Sequence, residues 1–355
     1  MPSYPFAELP LPQEQLEFMK VLGDYEGYDA SMFGVESPEV KELVEGFHEN
    51  FARAFAPAAL VTQLVFTTYR MTHCEASAEQ ELGLTEKLDR THQEKAAVAQ
   101  RAHKKFDEVA EKLKNDPDLT INMGEGVNRR FLVLLELSQP SRHCLEVNLA
   151  SMVVNAWTAF ETFAVDLWAG AVNARPAGLG KRAINHQSQA NDRATLKQKE
   201  QDLDGIEQGN KKSDALRFIE KLIDDREGFM IGDLLKQTPA FDFQRMRGIK
   251  HAYIRAFPDA KPVFDSESFG DVEVLDAVRN ALVHAAGKAD GKFLSRQRAN
   301  RHFYDKFGLG DIEAGGLIYL DGSTTKMLVQ SSVTAAKQLA LLADAWIISN
   351  PDSEA

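Results

Sequence analysis

The chain has 355 residues, of which 44% are hydrophobic and 26% are charged. A chain of this length and composition can bury one or two hydrophobic cores, which excludes a collagen-like or intrinsically disordered protein. The 41 lysine and arginine residues are outnumbered by 53 aspartate and glutamate residues, so the formal net charge is −12. Because proteins that coat duplex nucleic acid without sequence preference are expected to be basic, any contact of this chain with nucleic acid has to be local.

The cysteine content and the N-terminus predict the compartment. The chain has two cysteines, Cys74 and Cys144, which are too few for a disulfide framework, and its first residues lack the pattern of a secretory signal. The most apolar stretch, residues 149–174, is long enough to span a bilayer but carries Glu161 and Asp166, whose burial in lipid would be costly. We therefore expect a cytoplasmic protein without a membrane partner.

The first part of the chain has the features of an acidic α-helical domain. Few helix-breaking residues interrupt residues 38–114, and the second half of this stretch is rich in glutamate, lysine and alanine. The segment Asn115–Asp118 then predicts a helix end, and a domain boundary falls near Ser138–Pro140. The sequence therefore predicts an N-terminal helical domain over residues 1–138, with an unassigned sensing or regulatory role, and a second domain over residues 139–355.

The second domain is predicted to be mostly α-helical. Apolar residues recur at helical spacing from Leu149 to Ala171, which predicts a long helix, buried over most of its circumference, that ends before Pro176. Residues 175–214 are polar and of mixed charge, so this stretch is either a loop or a helix of low apolar content. Further helices are predicted at residues 215–225, 272–286 and 333–348.

One β-hairpin is predicted near the C-terminus. The apolar runs 317–320 and 326–329 flank the pair Asp321-Gly322, which accepts the positive φ angles of a tight turn. The predicted fold class is therefore mostly α, a helical bundle with one small β-hairpin.

A polar stripe on one predicted helix gathers several reactive side chains. Asp276, Asn280 and His284 recur four residues apart on one face, and Arg279 lies at the margin of that face. The opposite, buried face is expected to consist of Leu275, Val278, Leu282 and Ala285. The spacing therefore predicts a row of polar groups that is fixed on a rigid element and ends in a histidine.

The residue types in this stripe suit phosphodiester chemistry. His284 lies in the last helical turn before Gly287, a predicted helix cap, where the negative end of the helix dipole favours the imidazolium form and hence a general acid. Arg279 keeps its charge and presents a planar fork of donors, which suits a phosphate whose charge grows in a transition state. His284 and Arg279 are therefore candidate catalytic residues.

The segment Arg279-Asn280-Ala281-Leu282-Val283-His284 resembles the Rx4–6H motif of the HEPN superfamily (higher eukaryotes and prokaryotes nucleotide-binding), with the four-residue spacer and the preferred Asn. The upstream helix that contains Phe160-Glu161 is similar to the long apolar helix that precedes this motif in the family. The resemblance covers roughly residues 140–355, and nothing comparable covers residues 1–138. It implies a HEPN-type helical bundle.

The resemblance also implies an activity, which is metal-independent cleavage of RNA. The 2′-hydroxyl would be the nucleophile, and the products would carry a cyclic phosphate and a 5′-hydroxyl; no cofactor is implied. A homodimer is expected, because two facing copies supply the two histidines that the two proton transfers require. Asn280 would orient the phosphate or the histidine. The family analogy suggests tRNA or mRNA as substrate and a role in phage defence or as a toxin.

Two further groups of residues belong to this hypothesis. Glu161 lies beside an apolar face at helical spacing, so its carboxylate would be partly buried and would need Arg279 or Asn280 as a partner. Glu161 and Asn280 therefore join Arg279 and His284 as candidate catalytic residues. A basic strip with interleaved aromatic residues follows the motif and could bind single-stranded RNA. The candidate RNA-binding residues of this strip are Lys288, Lys292, Arg296 and Arg298.

Each of these patterns has a simpler interpretation. The motif is also compatible with a solvated polar face, Glu161 with an exposed or salt-bridged carboxylate, and the basic strip with an ordinary loop. The pairs His73-Cys74 and His143-Cys144 lack the spacing of a zinc site, so no metal site is predicted. The alternative function is a non-catalytic HEPN-like module for dimerisation or binding, or an antitoxin with a partner protein.

Overall fold

The computed structural model describes residues 30–115, 139–185, 218–219, 221–223 and 230–351. Within these ranges the secondary structure is almost wholly helical, and the β-structure consists of one isolated antiparallel bridge between Lys288 and Leu317. The predicted mostly α-helical class is therefore confirmed. Residues 186–214 lie outside the described part of the chain, and the predicted helix 215–225 lies only partly within it.

Ten α-helices organise these residues, together with a 3-10 helix at Ala30–Phe33 and a π-helical turn at Pro176–Gly180. None of the helices in the described ranges combines the length and the apolarity needed to cross a membrane. The helices are α1 (Pro38–Glu81), α2 (His92–Asn115), α3 (Gln139–Ala174), α4 (Ile231–Lys236), α5 (Met246–Ala256), α6 (Ala260–Phe264), α7 (Glu267–His284), α8 (Gly291–Ala299), α9 (Arg301–Lys306) and α10 (Gly322–Ser349).

The chain divides into two compact units, and the division differs from the predicted boundary at residues 138 and 139. Among the described residues, the first unit contains 55–115, 139–149 and 321–323, and the second unit contains the rest. Residues 30–54 therefore belong with the C-terminal part of the chain. The reason is aromatic packing, since the rings of Phe33 and Phe47 lie 6.5 and 4.7 Å from the ring of Phe163 in α3.

The first unit contains a helical hairpin in which the second half of α1 packs against α2. Its core consists of Cys74, Ala78, Val98 and Ala102. The turn into α2 is a capping box, because the Thr91 N–H donates to the Glu94 carboxylate at 2.8 Å and the Glu94 N–H donates to the Thr91 hydroxyl at 3.3 Å. The helices predicted over residues 38–114 are thus present, with a break at residues 82–91.

Helix α3 forms the centre of the second unit, as its apolar pattern predicts. Its largest side chains, including Trp157, Phe160 and Trp168, are completely buried. Two hydrogen bonds connect α3 to α5: the Trp168 indole donates to the Ala252 carbonyl at 3.1 Å, and the Tyr253 hydroxyl donates to the Ala164 carbonyl at 2.7 Å. These bonds satisfy two polar groups that would otherwise be costly to bury, and they fix α5 against α3.

The predicted β-hairpin is wrong. Residues 326–329 lie in α10, which begins at Gly322 instead of at Val333, and Leu317 makes only the bridge to Lys288. The physical reason is the period of burial. The buried residues follow one helical face that begins within the segment predicted to be a strand. They are Leu328, Val329, Ser332, Ala335, Ala336, Leu339, Ala340 and Ala343.

Gly232 allows α4 to approach α3 closely, which gives a first prediction. A Cβ at this position would lie 2.1 Å from the carbonyl oxygen of Ala169, which is rigid helix backbone. We expect Gly232→Ala to lower the free energy of unfolding by about 1–3 kcal/mol, because the methyl group can be accommodated only if the helices separate. Urea denaturation measures the change.

Gly46→Ala is the matched control for this substitution. Gly46 lies in α1, also in the second unit, and a Cβ there would meet no atom within 4 Å. An alanine at this helical position should raise the free energy of unfolding by about 0.5–1 kcal/mol. A Gly232→Ala protein as stable as Gly46→Ala would contradict the proposed close packing of α4 on α3.

Candidate functional site

A cavity of about 490 Å³ in the second unit collects most of the residues that the sequence singled out. Six of the eight predicted site residues line it, while Lys288 and Arg298 do not. The remaining lining residues come from the segment before α5, from α7 and from the start of α8. The full lining is Glu161, Gln244, Arg245, Ala277, Arg279, Asn280, Ala281, His284, Asp290, Lys292, Phe293 and Arg296.

The end of α7 determines where His284 lies. His284 is the last residue of the helix and is exposed at the cavity. The chain then turns through Ala286 and Gly287, which have φ angles of +51° and +75°, and the Gly287 N–H donates to the Ala281 carbonyl at 3.0 Å. This is the predicted glycine cap, and it satisfies one of the free carbonyls at the helix end.

The polar stripe on α7 passes from the interior of the protein to the surface. The Asp276 side chain is only 2% exposed, Asn280 is half-buried and His284 is exposed. The Asp276 carboxylate accepts hydrogen bonds from the Asn280 amide at 2.7 Å and from the Arg296 guanidinium at 2.8 Å. The Asp276 end of the stripe is therefore buried and hydrogen-bonded, whereas the spacing alone was also compatible with a solvated polar face.

Arg279 is held in place by Asn280. Its Nη1 donates to the Asn280 Oδ1 at 3.0 Å, and this carbonyl is in turn oriented by the bond from the Asn280 amide to Asp276. The Nε of Arg279 is buried and has no hydrogen-bond partner among the described residues. A buried donor without a partner is costly, so the described residues leave one hydrogen-bonding group of the Arg279 guanidinium uncompensated.

Glu161 contributes a half-buried carboxyl group to the cavity. Burial raises the pKa of this carboxyl, and the nearby Trp157 indole and the positive charge of Arg279 act in the opposite direction. No hydrogen bond or ion pair joins Glu161 to Arg279 or Asn280 within the described residues, so the partner predicted from the sequence acts only through its charge. A carboxyl group with a raised pKa is a candidate for proton transfer.

Arg296 has a structural role in addition to its place on the cavity. Its ion pair with Asp276 joins α8 to α7, and the Arg296 side chain is 40% exposed while its partner is buried. The start of α8 is fixed independently, because the Asp290 side chain accepts a hydrogen bond from the Phe293 N–H at 2.8 Å. Of the four basic residues predicted to bind RNA, only Lys292 is both on the cavity and without an acidic partner among the described residues.

Sequence reasoning did not assign Gln244 and Arg245 to the site, although both line the cavity. The signal that could have found them is a basic cluster around the start of α5, namely Arg245, Arg247, Lys250, His251 and Arg255. Other members of this cluster serve structural contacts. Lys250 pairs with Asp265 at 2.9 Å, and Arg255 donates to the Ala240 carbonyl at 3.0 Å.

The charges on the cavity oppose the charge of the whole chain. Four basic residues line it against two acidic ones, whereas the chain as a whole has a net charge of −12. The cavity therefore offers local positive charge, an exposed imidazole and a half-buried carboxyl group. This set can bind an anion and can transfer protons to and from it.

Comparison with protein-family models, curated proteins and solved structures gives no match for this chain. Within the described residues, no group of three or more His, Cys, Asp or Glu side chains is arranged to hold a metal ion. The function is therefore inferred from the geometry of the cavity and from the motif on α7.

The ion pair between Arg296 and Asp276 gives a second prediction. Arg296→Ala leaves the buried Asp276 carboxylate with the Asn280 amide as its one side-chain partner among the described residues. We expect a loss of about 2–4 kcal/mol in the free energy of unfolding, because a buried charge then lacks compensation. Arg298→Ala is the matched control, since Arg298 is exposed on the same helix, and it should change stability by less than about 0.5 kcal/mol. Equal effects in urea denaturation would refute the structural role of Arg296.

The raised pKa of Glu161 gives a third prediction. A carboxyl group that is harder to ionise in the folded protein than in the unfolded chain makes the protein less stable as the pH rises through the folded-state pKa. Glu161→Gln removes this penalty. The variant should melt at a higher temperature than the wild type at pH 7, and the difference should vanish in acid, where both side chains are neutral. A variant that melts lower at pH 7 would show that Arg279 stabilises the carboxylate instead.

Proposed function

We propose that this protein is a metal-independent endoribonuclease of the HEPN type. The observation that carries the proposal is that Arg279, Asn280 and His284 line one cavity together with Glu161 from a different helix. The Rx4–6H spacing on α7 supports the same conclusion, because it sets a fixed cation and a titratable group on one rigid element. The proposal extends to RNA as the substrate, with tRNA and mRNA as the expected classes.

The chemistry that these groups support is an internal transesterification. The RNA 2′-hydroxyl attacks the adjacent phosphorus, the bond from phosphorus to the 5′-oxygen breaks, and a 2′,3′-cyclic phosphate and a 5′-hydroxyl result. Arg279 neutralises the charge that grows on the phosphate, and protonated His284 donates a proton to the leaving 5′-oxygen. The hydrogen bond from Arg279 to Asn280 holds the guanidinium in position for this role.

The second proton transfer leads to a dimeric enzyme in this proposal. A base must remove the proton of the 2′-hydroxyl while an acid protonates the leaving oxygen, and the described cavity holds one histidine, His284, beside the Glu161 carboxyl group. The resemblance to HEPN ribonucleases favours a histidine for each of the two transfers. A second copy of the chain would supply the second histidine and a second arginine. We therefore propose a homodimer whose RNA-cleaving centre is built from both protomers.

The N-terminal part of the chain is proposed to restrain or position the nuclease, through a trigger or a regulatory partner protein. A ribonuclease with broad access to tRNA or mRNA would be harmful to its own cell. Such regulation fits a role in phage defence or as a toxin, which the resemblance to HEPN ribonucleases suggests.

The test is cleavage of RNA by purified full-length protein in the presence of EDTA. Wild-type protein is incubated with total tRNA and with a labelled single-stranded RNA, beside the variants His284→Ala and Arg279→Ala. We expect each variant to lose at least about 100-fold in rate, since a general acid or a charge-stabilising group is removed. His143→Ala, which changes an exposed histidine in the first unit, should retain wild-type activity.

The end groups of the products complete the test. Cyclic-phosphate ends from the wild type and the control only would support the proposal. Equal cleavage by all four proteins would contradict the assigned residues. Absence of cleavage by all four, with folded protein, would contradict the ribonuclease and favour a non-catalytic binding module or an antitoxin.

A further inference from the structure

The basic residues on the cavity differ in whether they already form an ion pair or a hydrogen bond within the protein. Arg296 is paired with Asp276, and Arg279 donates one hydrogen bond to Asn280. The side chains of Arg245 and Lys292 are exposed and make no hydrogen bond or ion pair with another residue that the structure describes. These two cations therefore remain available to a ligand in the cavity.

The backbone that carries Arg245 is firmly fixed. Phe241 and Phe243 are buried, and their rings lie 5.0 and 5.3 Å from the ring of Trp168 in α3. The helix that follows contacts this segment so closely that a Cβ at Gly248 would lie 1.5 Å from the Asp242 carbonyl oxygen. The backbone of Arg245 therefore keeps a fixed position at the edge of the cavity, and its side chain reaches the cavity from that point.

Some basic residues close to the cavity in sequence are exposed but do not line it. Arg247 lies two residues after Arg245 and is also exposed, but it does not line the cavity. Arg298 relates to Arg296 in the same way on α8. Arg245 and Arg296 on the cavity therefore each have a close sequence neighbour that carries the same charge elsewhere on the surface.

We infer that Arg245 and Lys292 form a second phosphate-binding position in the cavity, for a phosphate next to the one that is cleaved. The inference rests on the proposed function, in which Arg279 binds the scissile phosphate. A single-stranded RNA carries a phosphate at every nucleotide, so a strand held at Arg279 presents further phosphates to the same cavity. The planar guanidinium of Arg245 can bind phosphate oxygens with two donors, and Lys292 adds a point charge.

This position determines the class of substrate. An RNA strand with at least two consecutive phosphates gains binding affinity from both phosphate positions. A dinucleoside monophosphate has only the scissile phosphate, so it gains affinity from one. The net charge of −12 repels a polyanion elsewhere on the protein, so the affinity for RNA depends on these few contacts. Single-stranded RNA is thus the ligand that the available cations favour.

The experiment measures binding apart from cleavage. A fluorescent single-stranded RNA whose sugars carry 2′-O-methyl groups cannot undergo the transesterification, and its affinity for the full-length protein is measured by anisotropy at several salt concentrations. We expect Arg245→Ala to weaken binding about tenfold at physiological salt and to reduce the slope of log K against log salt by about 0.7, the value for one lost phosphate contact on a single strand. Lys292→Ala should act in the same direction.

Arg247→Ala is the matched control, because it removes the same charge from an exposed position two residues away. It should leave the affinity and the salt slope nearly unchanged. Arg245→Lys keeps the charge but loses the planar fork, and it should recover part of the affinity. Thermal melting checks that each variant is folded, as expected for side chains without a hydrogen bond or ion pair to another described residue.

The outcomes separate this inference from the proposed function. Equal weakening by Arg245→Ala and Arg247→Ala would mean that only the overall charge matters, and it would overturn the second phosphate position. Failure of the wild type to bind the RNA would overturn it too. If only Arg245→Ala weakens binding and the protein cleaves no RNA, the result supports the second phosphate position and contradicts the nuclease. If cleavage depends on His284 but Arg245→Ala binds RNA as tightly as the wild type, the result supports the nuclease and overturns the second phosphate position.

Discussion

Helix α3 is apolar around most of its circumference, and the second unit is organised by the need to cover it. The start of α1 covers one side through Phe47, and α5 covers another side, where Trp168 and Tyr253 exchange hydrogen bonds with backbone carbonyls across the two helices. Because a buried helix of this kind has few exposed positions, a polar side chain on it is costly unless it has a partner or reaches a cavity. Glu161 is such a group, and its half-buried carboxyl lies where α3 reaches the cavity.

A second constraint acts on α7, where Asp276 is buried together with its charge. A buried carboxylate requires partners, and it obtains them from its own helix through Asn280 and from α8 through Arg296. The bond to Arg296 holds α8 against α7. The bond to Asn280 fixes the orientation of its amide, which in turn accepts a hydrogen bond from the Arg279 guanidinium. The position of the candidate catalytic arginine is thus a consequence of how the protein compensates a buried charge.

The fold and the site were predictable from the sequence to the extent that local periodicity determines them. The pattern of apolar residues gave α3 and α7, and Gly287 gave the helix end that leaves His284 at the surface. The hairpin prediction failed at residues 326–329, because a short apolar run has the same appearance in a strand and on a buried helical face. Contacts between distant parts of the chain could not be predicted from the sequence, because they depend on how the helices pack. The ion pair between Asp276 and Arg296 and the place of Arg245 on the cavity are two such contacts.

The contrast between the charge of the chain and that of its cavity has consequences for how an anionic ligand would bind. At physiological ionic strength the Debye length is about 8 Å, so the repulsion between RNA and distant acidic residues is largely screened, while direct contacts within the cavity are screened less. Contacts with Arg279, Arg245 and Lys292 would then dominate the affinity in the proposed function, because Arg296 is already paired with Asp276. Lowering the salt would strengthen both these contacts and the long-range repulsion. If the proposed function holds, RNA would bind where a single strand can enter the cavity, because only there do direct contacts with cations outweigh the net negative charge of the chain.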